Sequence, residues 1–245
     1  FRSLLLGGCS PGEEKKPSVS LDAKTATFEH SLDAITDPKL KDAVTELGGS
    51  LLFTILLGLP LGILLFLTGP RQLLAQPMLY GVLSLVANVL RSVPFVILLI
   101  VMIPFTVLLV GTSLGVAGAI PPLVVGATPF FARLVETSLR EVDRGIIEAT
   151  QSMGASLTQI IFGALLPEAF PGLLAATTVT AITLVSYAAM SGVIGGGGLG
   201  DLAIRYGYQR FNNEVMFGTV LILVAMVQGV QMAGDRLVRS LAHRR

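Results

Sequence analysis

The chain has 245 residues, of which 52% are apolar and only 13% are charged, and its mean hydropathy is +0.76. A soluble domain carries about a quarter charged residues, so this chain has too little polar surface to cover a globule in water and is expected in a bilayer. Its formal net charge of +1 gives no electrostatic reason to expect a nucleic-acid partner.

The inventory of reactive side chains also excludes several kinds of site. Cys9 is the single cysteine, which excludes an internal disulfide and a cysteine-based zinc site. The two histidines, His30 and His243, lie near opposite ends of the chain, so no histidine is available to a catalytic or metal site inside the apolar body. We therefore expect a protein that is not an enzyme itself and that binds no cofactor or metal.

Residues 1–46 are expected to form a polar tail outside the membrane, since this segment holds every lysine of the chain. Within it, Leu6-Gly7-Gly8-Cys9 resembles a lipobox, the sequence at which a bacterial lipoprotein is cleaved and its cysteine lipidated. Two interpretations stay open. Either Cys9 carries a lipid anchor outside the cytoplasm, or the match arises by chance in a segment foreign to the body that follows.

From residue 47 onward, the sequence predicts a membrane domain that extends to residue 245. Apolar stretches near the roughly 20 residues that cross a bilayer as a helix predict five spans. These are expected at about 47–67, 93–110, 116–134, 170–194 and 215–233. In the first span, Gly58 and Gly62 would let a neighbouring helix approach closely.

The stretch 78–110 is too long for one simple crossing and is interrupted by Arg91 and Pro94. We expect 78–91 to lie towards one membrane face, with Arg91 near the lipid headgroups.

The arrangement of arginines orients the five spans. With the C-terminus in the cytoplasm, the cytoplasmic segments hold Arg71, Arg140, Arg144, Arg236, Arg239, Arg244 and Arg245, whereas the outer loops hold Arg205 and Arg210. The positive-inside rule favours this orientation over its reverse. It places the N-terminal tail on the outer side, where a lipidated cysteine would have to be.

One long polar segment, 139–168, then lies on the cytoplasmic side. The sequence predicts a short helix over 146–153, a break at Gly154, and a second short helix over 157–166 with Ser156 as its N-cap. Two such helices parallel to the membrane would form a firm protrusion that fits a groove on a cytoplasmic partner. The other interpretation is an interfacial connector that binds nothing.

This segment resembles the EAA loop of bacterial ABC importer permeases, with Thr150 and Ala164 in place of the usual Ala and Ile. The residues that carry the resemblance are Glu148, Ala149, Thr150, Gly154, Leu166 and Pro167. The resemblance implies that these residues couple the chain to an ATPase.

The resemblance extends over roughly 48–243, through stretches such as Gly58-Leu-Pro-Leu-Gly62, Arg91-Ser-Val-Pro-Phe95 and Thr183-Leu-Val-Ser-Tyr187. The chain resembles the methionine ABC importer permeases. This implies an all-α, five-span permease of the type I ABC importer fold in the bacterial inner membrane. It also implies a second copy of the permease, two cytoplasmic ATPase subunits that bind ATP and Mg, and a periplasmic methionine-binding lipoprotein. Methionine or a closely related amino acid would cross by alternating access.

Ser186, Tyr187 and Met190 are candidates for the translocation path, because they lie at near-helical spacing on the fourth span. Ordinary helix packing explains them equally well. Arg133 and Glu136 lie three residues apart on one helix face near the cytoplasmic end, where they would either pair with each other or steady the coupling loop, and we favour a structural role.

Two further motifs are interpreted as turns. Gly195, Gly197 and Gly200 fit a dinucleotide-binding pattern, but that pattern requires a preceding strand. The sequence 111–115 fits a nucleophile elbow, but no histidine can activate Ser113.

The alternative function is an ion-gradient-driven transporter or channel for a small amino acid. Such proteins tend to place ionisable groups at the membrane midplane, and here every acidic residue after 47 falls at a span end or in a loop.

Overall fold

The computed structural model describes residues 38–242, so Cys9 and the lipobox-like sequence lie outside the described residues. Within this range the chain forms helices and turns and contains no strand. The α-helices are α1 (Pro38–Thr68), α2 (Pro77–Ser92), α3 (Phe95–Val110), α4 (Gly115–Arg140), α5 (Arg144–Ser152), α6 (Leu157–Gln159), α7 (Leu166–Ser191), α8 (Gly198–Leu202) and α9 (Asn213–Ala242). Two π-helical turns, Ile160–Leu165 and Ala203–Tyr208, and one 3₁₀ turn, Gly192–Ile194, complete the helical elements.

The first helix begins at Pro38, so residues 38–46 belong to the helical body and the predicted start at 47 is wrong. Helix α1 is 31 residues long and continues through Pro60. At 1.5 Å per residue it extends about 46 Å, which is longer than a bilayer core. The charges of its first turns led to the error, because they find partners that are distant in sequence. Glu46, for example, is 1% exposed and accepts a hydrogen bond from Ser191.

Helix α4 lies at the centre of the fold and packs against α1, α2, α3 and α7. The closest approach is to α1, at the two glycines predicted for such a contact. A Cβ at Gly58 would lie 2.7 Å from the Phe131 ring, and one at Gly62 would lie 2.6 Å from Val135. Both distances are far shorter than a van der Waals contact, so the α1–α4 packing requires glycine at these positions.

Four helical segments in the described range are long and apolar enough to cross a membrane: α1, α4, the continuous stretch from Leu157 to Ile194, and α9. Helices α2 and α3 make a fifth if they are counted as one broken span, since their axes bend by 107° at the break. Large apolar side chains remain exposed on these helices, including Leu108 at 87% and Phe217 at 76%. Such surface is compatible with lipid or with another membrane subunit.

The interior divides into two apolar clusters along α4. Near the N-terminal half of α4, Leu123 and Ala127 pack with Phe95 and Leu99 of α3. Near its C-terminal half, the second cluster joins α1, α4, α5, α7, the π-helical turn 160–165 and the loop after α4, and its buried members include Phe66, Phe131, Val135, Leu139, Val142, Ile147, Ile160 and Leu165. The polar loop after α4 is therefore packed into the core of the helix bundle.

Candidate functional site

The segment with the EAA-like residues starts with a well-capped short helix. The Asp143 carboxylate accepts a hydrogen bond from the Gly145 backbone N–H at 2.6 Å, which satisfies a free donor in the first turn of α5. The helix ends at a left-handed turn, since Gly154 has φ +79°. The Gly154 and Ala155 backbone N–H groups donate to the carbonyls of Gln151 and Thr150. The break predicted at Gly154 is present, and it is a glycine-terminated helix end.

The second arm of the segment differs from the prediction. The Ser156 backbone N–H donates to the Gln159 side chain at 2.8 Å, so a helix starts at Leu157 as expected. It does not stop at 166, because the π-helical turn 160–165 carries it into α7. Pro167 is the second residue of α7 and directly follows the π-helical turn. One short helix, α5, therefore stands apart, and the predicted second short helix is the start of a long membrane helix.

Helix α5 has one face in the core and the other in solvent. Ile147 is only 9% exposed and packs in the cluster with Val142 and Ile160. Glu148, Ala149 and the turn at Gly154 are exposed on the opposite side. Because Ile147 is buried in a cluster that also contains side chains of α4 and of the π-helical turn leading into α7, and α5 packs on that turn, a force on α5 would be passed to the bundle.

The structure separates the six EAA-like residues into two groups. Glu148, Ala149, Thr150 and Gly154 belong to α5 and its terminal turn. Leu166 and Pro167 instead line an apolar lateral groove of about 420 Å³ beside α1, together with Phe162 and Phe170.

A second surface beside α5 has no counterpart in the sequence predictions. The turn after α1 lies against the helix, and Arg71, Gln72, Arg144, Glu148 and Gln151 line a polar groove of about 260 Å³. Arg71 adopts φ +65°, which is unusual for a residue with a side chain. Among these residues, the sequence singled out Arg71 and Arg144 only by their charge and Glu148 only as an EAA-like residue.

A charge network ties α2 to α4. Glu136 is 3% exposed and accepts from Arg133 and Arg140, each at 2.6 Å, so the predicted pairing of Arg133 with Glu136 is confirmed. The Tyr80 hydroxyl donates to the same carboxylate at 3.3 Å, and Arg133 also donates to the Ser84 hydroxyl. Sequence reasoning missed Arg140, although its spacing of four from Glu136 could have indicated it.

At the opposite end of the bundle, the start of α1 is tied to the glycine-rich segment 192–200. The Ser191 hydroxyl donates to the Glu46 carboxylate at 3.0 Å, and Lys39 pairs with Asp201 at 3.3 Å. Gly195, Gly197 and Gly198 all have positive φ values, so this segment is a glycine turn, and no strand precedes it in the described chain.

The three path candidates do not lie on one face. Ser186 is exposed and lines a groove between α7 and α9 with Val224 and Gln228. Tyr187 points elsewhere and stacks on Phe95, with ring centroids 4.2 Å apart and planes within 3°. Met190 is 43% exposed. Residues 186 and 187 are about 100° apart on a helix, so the predicted single stripe is replaced by two separate surfaces.

Comparison with known proteins gives consistent matches. The model of a family described as "binding-protein-dependent transport system inner membrane component" matches residues 55–245. The D-methionine transport system permease protein MetI of Escherichia coli is 49% identical over 192 residues, which are 78% of this chain and 88% of the relative. The methionine import system permease protein MetP of Bacillus subtilis is 47% identical over 181 residues, 74% and 82% of the two chains.

A solved structure of the inward-facing MetNI methionine ABC transporter superposes with a TM-score of 0.84. It is 46% identical to this chain, and the match covers 86% of this chain and 98% of the solved one. A solved amino acid ABC transporter, 17% identical with a TM-score of 0.64, shares the fold.

Proposed function

This chain belongs to the family of binding-protein-dependent transport system inner membrane components, and from that premise we propose that it is the permease subunit of an ATP-driven methionine importer. The observation that carries the proposal is α5, a capped and exposed helix whose one buried side chain, Ile147, belongs to the apolar cluster that also contains side chains of α4 and of the π-helical turn before α7. An importer of this kind needs such an element, because the chain has to be moved by a partner that hydrolyses ATP.

The proposed assembly contains two copies of this chain, two cytoplasmic ATPase subunits and a methionine-binding lipoprotein on the outer side. The likeness to the MetNI methionine ABC transporter supports the ATPase partner and the substrate. ATP and Mg would be bound by the ATPase, so this chain contributes a path and a lever. The exposed apolar faces of α3 and α9 leave ample surface for a second copy and for lipid.

In the proposed mechanism, the exposed residues Glu148, Ala149 and Gly154 and the half-buried Thr150 contact the ATPase. When ATP draws the two ATPases together, α5 moves with them. Ile147 transmits this movement to the bundle, because it is buried in the apolar cluster that contains side chains of α4 and α7, and α5 packs on the π-helical turn that leads into α7. The bundle then opens to the outside, and hydrolysis reverses the change. The coupling requires that the ATPase contacts differ between the two states.

For orientation we propose a cytoplasmic C-terminus and an outer N-terminus, on the arginine asymmetry described above. This places α5 and the Arg71 turn in the cytoplasm and the 192–200 segment on the outer side. The path for methionine would run along α7, past Ser186 and Met190 on the surface that is exposed in the single chain and past Tyr187 beside Phe95.

Reconstitution tests the proposal directly. The chain, its ATPase and its binding protein are placed in liposomes, and uptake of radiolabelled methionine is measured with ATP, without ATP, and with an imposed proton or Na⁺ gradient. We expect uptake only with ATP and only with the binding protein. Uptake that ignores ATP and follows an ion gradient would identify a secondary transporter instead.

A further inference from the structure

A small cleft lies at the break between α2 and α3, where the two helix axes turn by 107°. It has a volume of about 160 Å³ and is lined by Leu90, Arg91, Val93, Phe95, Leu98, Gly126, Phe130 and Tyr187. One basic side chain therefore faces a cleft that is otherwise apolar and aromatic. Cofactor and ligand sites have this composition, with few polar groups placed on a hydrophobic lining.

The polar face of α2 leads from the charge network to this cleft. Tyr80, Ser84 and Asn88 follow one another at helical spacing, and each is hydrogen-bonded to an arginine or to Glu136 of α4. Arg91 is the next residue on that face. In the part of the chain that the structure describes, its guanidinium has no carboxylate partner and makes no hydrogen bond, and it lies 5.7 Å from the centre of the Phe130 ring. The other polar groups on this face are satisfied, whereas Arg91 is free to bind a ligand.

The unpaired guanidinium of Arg91 lies far from both ends of α4. Phe130 is ten residues from the Arg140 end of α4 and fifteen from its Gly115 end, or about 15 Å and 22 Å along the axis. Arg91 therefore lies beside the middle third of a helix that is long and apolar enough to cross a membrane. A charged side chain at such depth is costly, and it commonly marks a substrate or ion path. Interrupted helices at mid-membrane are where transporters hold their substrates.

We propose that this cleft binds the transported amino acid, with the substrate carboxylate on Arg91 and its side chain against the aromatic lining. A guanidinium matches a carboxylate with two parallel hydrogen bonds. A thioether makes favourable contacts with aromatic rings, and three rings lie at the cleft, in Phe95, Phe130 and Tyr187. The site thus suits a small zwitterion with an apolar, sulfur-containing side chain. This inference rests on the proposed import function and gives it a binding residue.

The test measures binding of radiolabelled methionine to the permease–ATPase complex in nanodiscs of neutral lipid, without the external binding protein. Two competitors test which group of methionine the site recognises. 3-(Methylthio)propanoate keeps the carboxylate and lacks the amine, whereas methioninamide lacks the carboxylate. In the unmodified complex we expect the propanoate to compete and the amide to compete poorly. Absence of methionine binding, or equal competition by the two compounds, overturns the proposal.

Substitution of Arg91 then assigns the preference to one side chain. Arg91→Gln should weaken methionine binding about ten-fold or more and abolish the preference for the carboxylate compound, because a charge-assisted hydrogen bond is lost. Arg91→Lys should bind with intermediate affinity and keep the preference, since it retains the charge without the two-pronged geometry. The matched control is Arg210→Gln, which removes another arginine that stacks on an aromatic ring, here Tyr206 at 4.6 Å. It should bind like the unmodified complex.

The remaining outcomes are also decisive. Unchanged affinity and preference in Arg91→Gln overturn the proposal. Competition between methionine and added phosphatidylglycerol that disappears in Arg91→Gln would show that a lipid phosphate occupies the arginine, and this too overturns it. If Arg91→Gln does not assemble, the proposal is tested with Arg91→Lys, and loss of the carboxylate preference in that variant overturns the proposal. ATP hydrolysis and retention of the ATPase are measured on the same samples, so a failure of the import function itself is recognised separately.

Discussion

The left-handed turn at Gly154 offers the sharpest test of the coupling segment. At this position the effects of side-chain volume, backbone geometry and charge can be separated. No atom lies within 4 Å of the position that a Cβ would occupy at Gly154, so added side-chain volume meets no obstacle in the chain. Its φ of +79° is the remaining constraint, and an L-residue held there costs about 1–2 kcal/mol. That cost changes the equilibrium between the formed and the unformed turn by a factor of about 5 to 30.

Three substitutions distinguish geometry from charge. Asparagine tolerates left-handed backbone better than most residues, so Gly154→Asn should keep most of the methionine uptake. Gly154→Asp has nearly the same shape and adds a negative charge to a segment that already carries Glu141, Asp143 and Glu148, and we expect it to uncouple transport. Gly154→Val should be at least as defective, because a β-branched residue at this φ is a severe outlier.

The assay is the number of methionine molecules imported per ATP hydrolysed in proteoliposomes, with capture by the external binding protein measured in parallel. We expect unchanged capture, a continuing ATPase rate and a lower transport ratio for Asp and Val. Thermal stability should fall only by this backbone cost, least for Asn and most for Val, because a side chain at Gly154 would meet no atom within 4 Å. Normal coupling in both Asp and Val would refute the role assigned to this turn.

Three further substitutions test the packing that supports the site. Ile147→Ala should lower methionine import per ATP hydrolysed, because a nearly buried side chain that anchors α5 is lost. The neighbouring control Ile146→Ala, at a position that is 37% exposed, should couple normally. Equal effects of the two substitutions would contradict the transmission through Ile147. Gly62→Ala should lower the melting temperature, at a cost of about 1–3 kcal/mol, since its Cβ would lie 2.6 Å from Val135. Gly81→Ala, in open space on α2, is its control and should be neutral or slightly stabilising. Glu136→Gln should lower the melting temperature more than Arg140→Gln does. The first substitution leaves two guanidiniums without their buried carboxylate, whereas Arg140 is itself 43% exposed. A larger decrease for Arg140→Gln would count against the charge network.

Local signals in the sequence were sufficient where a feature depends on neighbouring residues. The break before α3 follows from Arg91 and Pro94, and the end of α5 follows from a glycine after a short amphipathic stretch. The close contact at Gly58 and Gly62 was also predictable, because small residues one helical turn apart are a packing signal. Each of these features is determined within a few residues of the chain.

Errors arose where the deciding partner is distant in sequence. The charges before residue 47 suggest a solvated tail, and only the folded chain brings Lys39 to Asp201 and Glu46 to Ser191. Pro167 suggests a new helix, although a proline in the first turn of α7 can follow a continuous π-helical turn.

The same reasoning explains why the cleft at Arg91 could not be found in the sequence. The expectation for Arg91 assumed that a charge in an apolar stretch lies at the nearest membrane surface. The position of Arg91 along α4 depends on the bend between α2 and α3 and on the register of α2 against α4. Tyr80 and Ser84 determine that register through their contacts with Glu136 and Arg133. The charge network near the proposed cytoplasmic face therefore has a second consequence. It holds α2 in the register that brings an unpaired guanidinium to Phe130, so the elements that stabilise the coupling end also position the proposed substrate contact.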